Sequence, residues 1–327
     1  VRLWIELSGE HATLPRAEAL AAFEAEGCVI REISWSSKLL RLEATGPVMR
    51  AAARLGLAHC VCEELSRGEF EEIRAFARSY ELGGKTFRTR ARGLGLHVDA
   101  KSLEGPLGAD FGRTGRVNLR SPSVDFHLLV GDEFLLGRLV HQVDRSGMEA
   151  RKVTHRSFSL PISLHPKLAR ALVNLARVPT GGMILDPFCG TGGILLEAAR
   201  IDLRPIGADL RRTMVLGARK SLRLLAADAA FVMADAGQGP WRSGAITGIA
   251  TDPPYGRAAS TRGEPPLVLY ERTFAAFEEA LPRTGHVAIV LPTEEAIALG
   301  AERWQLLERH TMRVHRSLSR TFCVFAT

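Results

Sequence analysis

Between Met183 and Pro292 the chain alternates short apolar runs with helical periodicities, and that alternation restricts the fold more than any other feature. Runs at 183–188, 205–210, 231–234, 246–251 and 286–292 have the length of buried strands. The stretches 192–200, 212–226 and 267–281 repeat at helical spacing. A strand apolar along its whole length must be covered on both faces, which a parallel sheet wrapped by helices provides. The reading is an α/β, doubly wound fold. Two more strands, around Glu308 to His315 and Thr321 to Ala326, lie close enough to close the sheet with an antiparallel hairpin.

Open sheets of this kind place their chemistry at the carboxyl ends of the strands, and four such ends carry polar groups here. Asp186-Pro187-Phe188-Cys189-Gly190-Thr191-Gly192-Gly193 turns from strand to helix through glycines that let the backbone approach a ligand. Leu195 stands where a dinucleotide fingerprint needs its last glycine, which favours a smaller ligand bearing a carboxylate over a pyrophosphate. Asp209 ends the second strand, about twenty residues on, where a carboxylate can hold two ribose hydroxyls. Asp235 ends the third, where it can accept from an adenine amine. Asp252-Pro253-Pro254-Tyr255 follows the fourth strand. Each proline fixes φ and removes an N–H, so this stiff turn offers carbonyl oxygens and a carboxylate beside an aromatic ring. Such a group suits an exocyclic amine on a flat base. Taken singly, each aspartate is more often a cap or a turn former. Four at neighbouring strand ends argue for one site, with Cys189 serving packing rather than catalysis.

At 327 residues the chain exceeds an ordinary single domain, and its first half reads differently. Residues 1–55 form a small α+β unit: a strand around Leu3 to Leu7, a helix from Pro15 to Glu26 stopped by Gly27, and strands at Val29 to Ser34 and Leu39 to Glu43. Residues 56–147 are again mixed, with a helix from Phe70 to Tyr80 and then the strand-like run Lys85-Thr86-Phe87-Arg88-Thr89-Arg90-Ala91-Arg92. Period two puts Arg88, Arg90 and Arg92 on one face. Residues 74–120 hold ten basic and four acidic side chains, most of the net charge of +7. A nucleic-acid phosphate track and a solvated face with local ion pairs both fit that excess. Residues 141–165 are polar and irregular, and a helix runs from Pro166 towards Pro179. No apolar run is long enough for a bilayer, and the charged first twenty residues lack a signal-peptide core, so a cytoplasmic protein is expected. Five scattered cysteines with a single C-x-C pair argue against both a disulfide framework and a zinc site.

Residues 183–327 resemble class I S-adenosylmethionine-dependent methyltransferases, specifically the amino methyltransferases with an Asp/Asn-Pro-Pro-Tyr motif. The terminal hairpin is also their ending. The resemblance implies S-adenosylmethionine as cofactor, held by Asp186, Phe188, Gly190 and Gly192 in the loop, Asp209 and Leu210 at the ribose, and Asp235 and Ala236 at the adenine. It makes Asp252, Pro253, Pro254 and Tyr255 the catalytic motif. The lead-in Arg156-Ser157-Phe158-Ser159-Leu160-Pro161-Ile162-Ser163-Leu164-His165-Pro166-Lys167, with Leu172-Val173-Asn174-Leu175-Ala176, is similar to that of the archaeal and eukaryotic tRNA guanosine-10 N2-methyltransferases. The implied architecture is a ferredoxin-like domain (1–55), a THUMP domain (56–147), a linker (148–165) and a Rossmann-like methyltransferase domain (166–327). The implied partner is tRNA, contacted by Lys85, Arg88, Arg90, Arg92, Arg120 and Arg257, with no membrane involved. Eukaryotic relatives use a small activating subunit; this chain is expected to act alone. Asp rather than Asn at 252 leans towards guanosine 10. DNA or RNA adenine N6-methyltransferases also use Asp, and a catalytically inactive THUMP tRNA-binding protein would share the N-terminal half, so both remain alternatives. One or two added methyls depends on room beside the amine.

Overall fold

The computed structural model describes residues 1–95, 99–152, 158, 163–255, 263–315 and 318–327. Arg257, and residues 156–157 and 159–162 of the lead-in, lie outside the described residues. Strands β1 (Arg2–Leu7), β2 (Val29–Trp35), β3 (Leu39–Thr45), β4 (Ala58–Gly68), β5 (Thr86–Gly93), β6 (Arg116–Val117), β7 (Val124–Val130) and β8 (Phe134–Gln142) make one eight-stranded sheet, in the order β2-β3-β1-β4-β8-β7-β5-β6. β4 pairs with β1 on one side and β8 on the other, so residues on both sides of position 55 share a continuous sheet. Alternate residues of β1 serve its two faces. Leu3, Ile5 and Leu7 pack under α1 (Leu14–Ala25) and α2 (Val48–Ala53), while Trp4 packs with Cys60 and Cys62. α1 stops at Gly27, whose φ of +73° costs a glycine little. α3 (Phe70–Ser79) and α4 (Glu104–Phe111) cover the other half through Ile73, Leu107 and Phe111.

The stretch after β8 is less irregular than its composition suggests. α5 (Arg145–Ala150) forms there because the Asp144 carboxylate accepts from the Gly147 N–H at 2.8 Å, a capping bond. After α6 (Pro166–Leu175) come β9 (Met183–Asp186), α7 (Gly193–Ala199), β10 (Arg204–Asp209), α8 (Arg212–Leu224), β11 (Ala230–Met233), β12 (Gly248–Thr251), α9 (Pro266–Ala280), β13 (His286–Leu291), α10 (Glu294–Ala301), β14 (Gln305–His315) and β15 (Leu318–Ala326). The seven strands are ordered β11-β10-β9-β12-β13-β15-β14; the first five are parallel, and β15 and β14 run antiparallel as the foreseen hairpin. Strand order reverses between β9 and β12, which opens the crevice where such sheets bind ligands. Among the described residues no helix is long and apolar enough to cross a membrane.

A buried polar network joins the two sheets. Arg54 donates to Asn174 Oδ1 (3.1 Å), Glu26 Oε1 (2.6 Å) and the Val178 carbonyl (2.9 Å). Asn174 donates in turn to Glu18 Oε1 at 2.9 Å, and Glu18 accepts the Gly56 and Leu57 N–H groups, each at 2.7 Å. One helix turn away, Arg170 and Arg151 both reach the fully buried Glu197 of α7, at 2.7 and 2.9 Å. Around these groups, Leu14, Ala17 and Ala21 of α1 join Ala169 and Leu172 of α6 in one apolar cluster.

Candidate active site

Three carboxylates converge at the strand-order reversal. Asp186, at the end of β9, is buried and accepts from Thr251 Oγ1 (2.7 Å) and the Phe188 N–H (3.2 Å). Burial pushes its carboxyl up to about 7 despite those bonds, with Asp252 and Asp209 adding to the rise. Asp209, at the end of β10, binds back to the glycine turn: its oxygens accept the Gly190 N–H (3.2 Å) and the Arg211 N–H (2.8 Å). Leu210, next to it, stays 39% exposed, an apolar surface beside an acid.

The two glycines of the turn do different things. At Gly190, φ is +48° and a Cβ would meet nothing closer than the Phe188 carbonyl at 3.8 Å, so the backbone there faces open space. At Gly192, φ is +77° and a Cβ would come within 2.8 Å of Leu222 and 3.1 Å of Ala218 on α8. Gly192 is therefore required for packing the turn on its neighbour, which the spacing alone did not distinguish. Cys189 is buried, with its thiol pushed far above its ordinary value by that burial, as suits a packing residue. Thr191 is buried and lies 3.0 Å from the Ser163 hydroxyl, so the described end of the lead-in touches the turn.

Asp235 stands two residues beyond the end of β11 rather than on it. Its carboxylate accepts the Gly237 N–H at 2.9 Å and forms a two-pronged ion pair with Arg272, which Glu264 also holds at 2.8 Å. Ala236 beside it is buried.

Asp252 follows β12 directly. Its Oδ1 is buried and has no hydrogen-bond partner among the described residues, while its Oδ2 lies 3.9 Å from the Arg320 guanidinium. Burial raises the carboxyl to about 6, and Arg320 pulls it back down in part. Arg320 donates its Nε–H to the Tyr255 hydroxyl at 2.5 Å, and its guanidinium carbon sits 6.0 Å from the Tyr255 ring centre. Burial, reinforced by Asp252, holds the Tyr255 phenol well above its usual range, so it stays neutral. The Pro254 carbonyl is taken by the Tyr270 hydroxyl at 3.0 Å. Sequence reasoning missed Arg320 and Tyr270. Tyr270 comes from α9, the next helix, and Arg320 from β15 far along the chain, brought towards the motif by the pairing of β15 with β13.

The basic strand β5 is partly neutralised. Arg88 forms a two-pronged ion pair with Asp125 of β7, its Nε at 3.0 Å, and Arg92 pairs with Glu6 at 2.9 Å. Arg90, Lys85 and Arg120 are exposed.

A parallel sheet with its order reversed at an acidic crevice, a glycine turn and a terminal antiparallel hairpin define a class I S-adenosylmethionine-dependent methyltransferase. Residues 154–321 match the family model described as RMKL-like, methyltransferase domain. The chain is 32% identical to the tRNA (guanine(10)-N2)-dimethyltransferase of Methanothermobacter thermautotrophicus, covering 99% of each chain. It is 31% identical to the Pyrococcus abyssi enzyme of the same name, covering 98% of each. Among solved structures, TrmN from Thermus thermophilus aligns over 100% of both chains with a TM-score of 0.53 at 23% identity, a likeness of fold. The chain belongs to the RMKL-like methyltransferase family, within the group that holds the archaeal tRNA (guanine(10)-N2)-dimethyltransferases.

Proposed function

We propose that the protein transfers methyl groups from S-adenosylmethionine to the exocyclic N2 of guanosine 10 in tRNA. The observation that carries the chemistry is Asp252 Oδ1, a buried carboxylate oxygen without a partner among the described residues. The choice of target is supported by relatives named for that reaction along nearly the whole chain.

The N2 lone pair of guanine is delocalised into the ring and is a poor nucleophile. Asp252 Oδ1 accepts one N–H of the amine and the Pro253 carbonyl accepts the other, which draws the lone pair out of conjugation. The Pro254 carbonyl, occupied by Tyr270, plays no such part. Tyr255 stacks on the base, its hydroxyl held by Arg320. Asp186 and Phe188 shape the cofactor turn, Gly190 faces the ligand, Gly192 seats the turn, Asp209 and Leu210 meet the ribose, and Asp235 with Ala236 flanks the adenine. Bound there, S-adenosylmethionine supplies an electrophilic methyl group on a sulfonium. Asp252 takes the proton that N2 loses as the N–C bond forms, and holding both partners in line supplies the proximity term. A paired guanosine must leave its stack to reach this crevice, at a cost of a few kcal/mol. Arg257, just past the motif, is assigned to the flipped nucleotide's phosphate.

Nucleoside mass spectrometry of tRNA incubated with protein and S-adenosylmethionine should show N2-methylguanosine, with the dimethylated nucleoside as end product by analogy with the relatives. Methyl on adenosine would overturn the assignment. Because Asp252 can take up the N2 proton only when ionised and its carboxyl is raised to about 6, the single-turnover rate should fall as pH drops through about 6. Asp252→Asn keeps an acceptor oxygen but cannot titrate, so its slower reaction should lack that acidic limb; an identical limb in both would assign the titration elsewhere.

The N-terminal sheet is the proposed tRNA grip, combining ferredoxin-like and THUMP-like units. With Arg88 and Arg92 committed to carboxylates, Lys85, Arg90 and Arg120 carry most of the phosphate contact. Replacing these three with alanine should lower the slope of log affinity against log salt by about two to three. An unchanged slope would return them to a solvated surface.

A further inference from the structure

On the face of the N-terminal sheet away from α1 and α2, a cluster of soft donors lies far from the methyl-transfer crevice. Cys60 and Cys62 project from the same side of β4, two residues apart, and both are buried. β7 adds His127, from two strands away. The Cys60 and Cys62 sulfurs and a His127 ring nitrogen all lie within 4.8 Å of one another. Cys60 Sγ is 3.9 Å from His127 Nδ1 and 3.8 Å from Glu6 Oε2 on β1. A tetrahedral ion with bonds of about 2.0–2.3 Å needs donors roughly 3.3–3.8 Å apart, so small side-chain adjustments would close this set.

Two further features fit a bound ion. β8 runs between β4 and β7, and its residue beside the cluster is Gly137, where a Cβ would lie 2.8 Å from the Cys62 Cβ and 2.6 Å from Trp4 Nε1. That Cβ would also lie 2.9 Å from the Glu63 carbonyl, so only glycine lets β8 pass this close to Cys62. His127 turns Nδ1 to the thiol and its buried Nε2 towards Asp125, 3.6 Å away. A carboxylate behind the distal nitrogen is the usual outer support of a metal-bound imidazole, and Arg88 fixes that carboxylate. The C-x-C pair alone offers too few donors for a site, and the sheet supplies the missing one.

We propose that Cys60, Cys62 and His127 form a binding site for a thiophilic divalent cation of the zinc type, with Glu6 nearest to the fourth position. Binding requires two thiolates and a neutral imidazole, so it releases to solvent the protons that the Cys60, Cys62 and His127 set carries, and it ties β4 to β7 across β8, stapling the sheet where its two halves meet. The test uses the whole reduced protein, stripped with chelator and titrated with cobalt(II). A single equivalent should produce a near-ultraviolet thiolate-to-cobalt charge-transfer band and strong visible bands of a tetrahedral ion, which zinc then abolishes. Cys60→Ser and Cys62→Ser should each weaken the band and the affinity by at least tenfold, and Asp125→Asn should weaken affinity by roughly 10–100-fold. Cys28→Ser, in the apolar cluster on the opposite face, should leave the band unchanged. Absence of the band from the unaltered protein, which needs no variant to fold, overturns the site. So does a band that survives in the Cys60→Ser, Cys62→Ser double variant.

Discussion

Replacing Asp252 with alanine is expected to lower the turnover rate by roughly a thousandfold while S-adenosylmethionine affinity, measured by calorimetry, stays within about twofold. The two effects separate because of where the carboxylate stands. Oδ1 is unpartnered among the described residues, and the Tyr255 hydroxyl, which also bonds to this carboxylate, keeps Arg320 as a partner when the carboxylate is removed. Oδ2 faces Arg320 at 3.9 Å, a contact longer than a hydrogen bond, and Arg320 keeps Tyr255 as a partner. Asp186 stays held by the Thr251 hydroxyl and the Phe188 N–H, and Asp209 by the Gly190 and Arg211 N–H groups, none of which the substitution removes. A variant that turned over normally would remove Asp252 from the chemistry. One that lost cofactor binding as well would make it a structural support of the crevice.

Arg54→Ala should destabilise the protein by ~3–5 kcal/mol, because it strands a buried carboxylate. Arg54 and Glu26 are each 2% exposed at the side chain and 2.6 Å apart, so Glu26 would lose its principal counter-charge where water reaches it poorly. Asn174 and the Val178 carbonyl would lose a donor at the same time. Arg50 provides the internal contrast: it also faces Glu26, at 3.7 Å, but is 63% exposed. Arg50→Ala should cost no more than ~1 kcal/mol, the ordinary range of a surface pair. Urea unfolding of the two variants side by side measures the difference, and equal losses would show that the buried pair contributes nothing beyond a surface one.

Much of the C-terminal half was legible because strands covered on both faces read as apolar runs, and β9 and β13 announced themselves that way. β4, which joins the two halves of the N-terminal sheet, did not. Its Glu63 and Glu64 look like a solvated surface, yet Glu64 is buried against Arg41 at 2.9 Å and Glu63 pairs with Arg138 of β8. Charges satisfied across a sheet leave no trace in the sequence of one strand. α4 was hidden for the opposite reason. Gly105, Pro106 and Gly108 are poor helix formers, and the helix holds through packing, with Phe111 stacked on Phe126 at 3.9 Å and Asp110 paired to Arg74. At the site, the four strand-end motifs were readable because each is local. Arg320, Tyr270 and the pairing of Asp235 with Arg272 were not, since each depends on which elements become neighbours.

The terminal hairpin touches both halves of the molecule. On β14, His310 Nδ1 lies 2.8 Å from Thr13 Oγ1 and the Thr311 carbonyl 3.1 Å from His11 Nε2, both at the start of α1. In the ladder, Thr311 pairs with Thr321 and Met312 with Arg320. The strand that leans on the N-terminal half thus lies one rung from the arginine that braces Tyr255. The hairpin therefore rests on the start of α1 through β14 and holds Tyr255 through β15. Two neighbouring strands thus separate the start of the first helix from the Tyr255 ring, so the N-terminal half and the Asp-Pro-Pro-Tyr turn share one mechanical support.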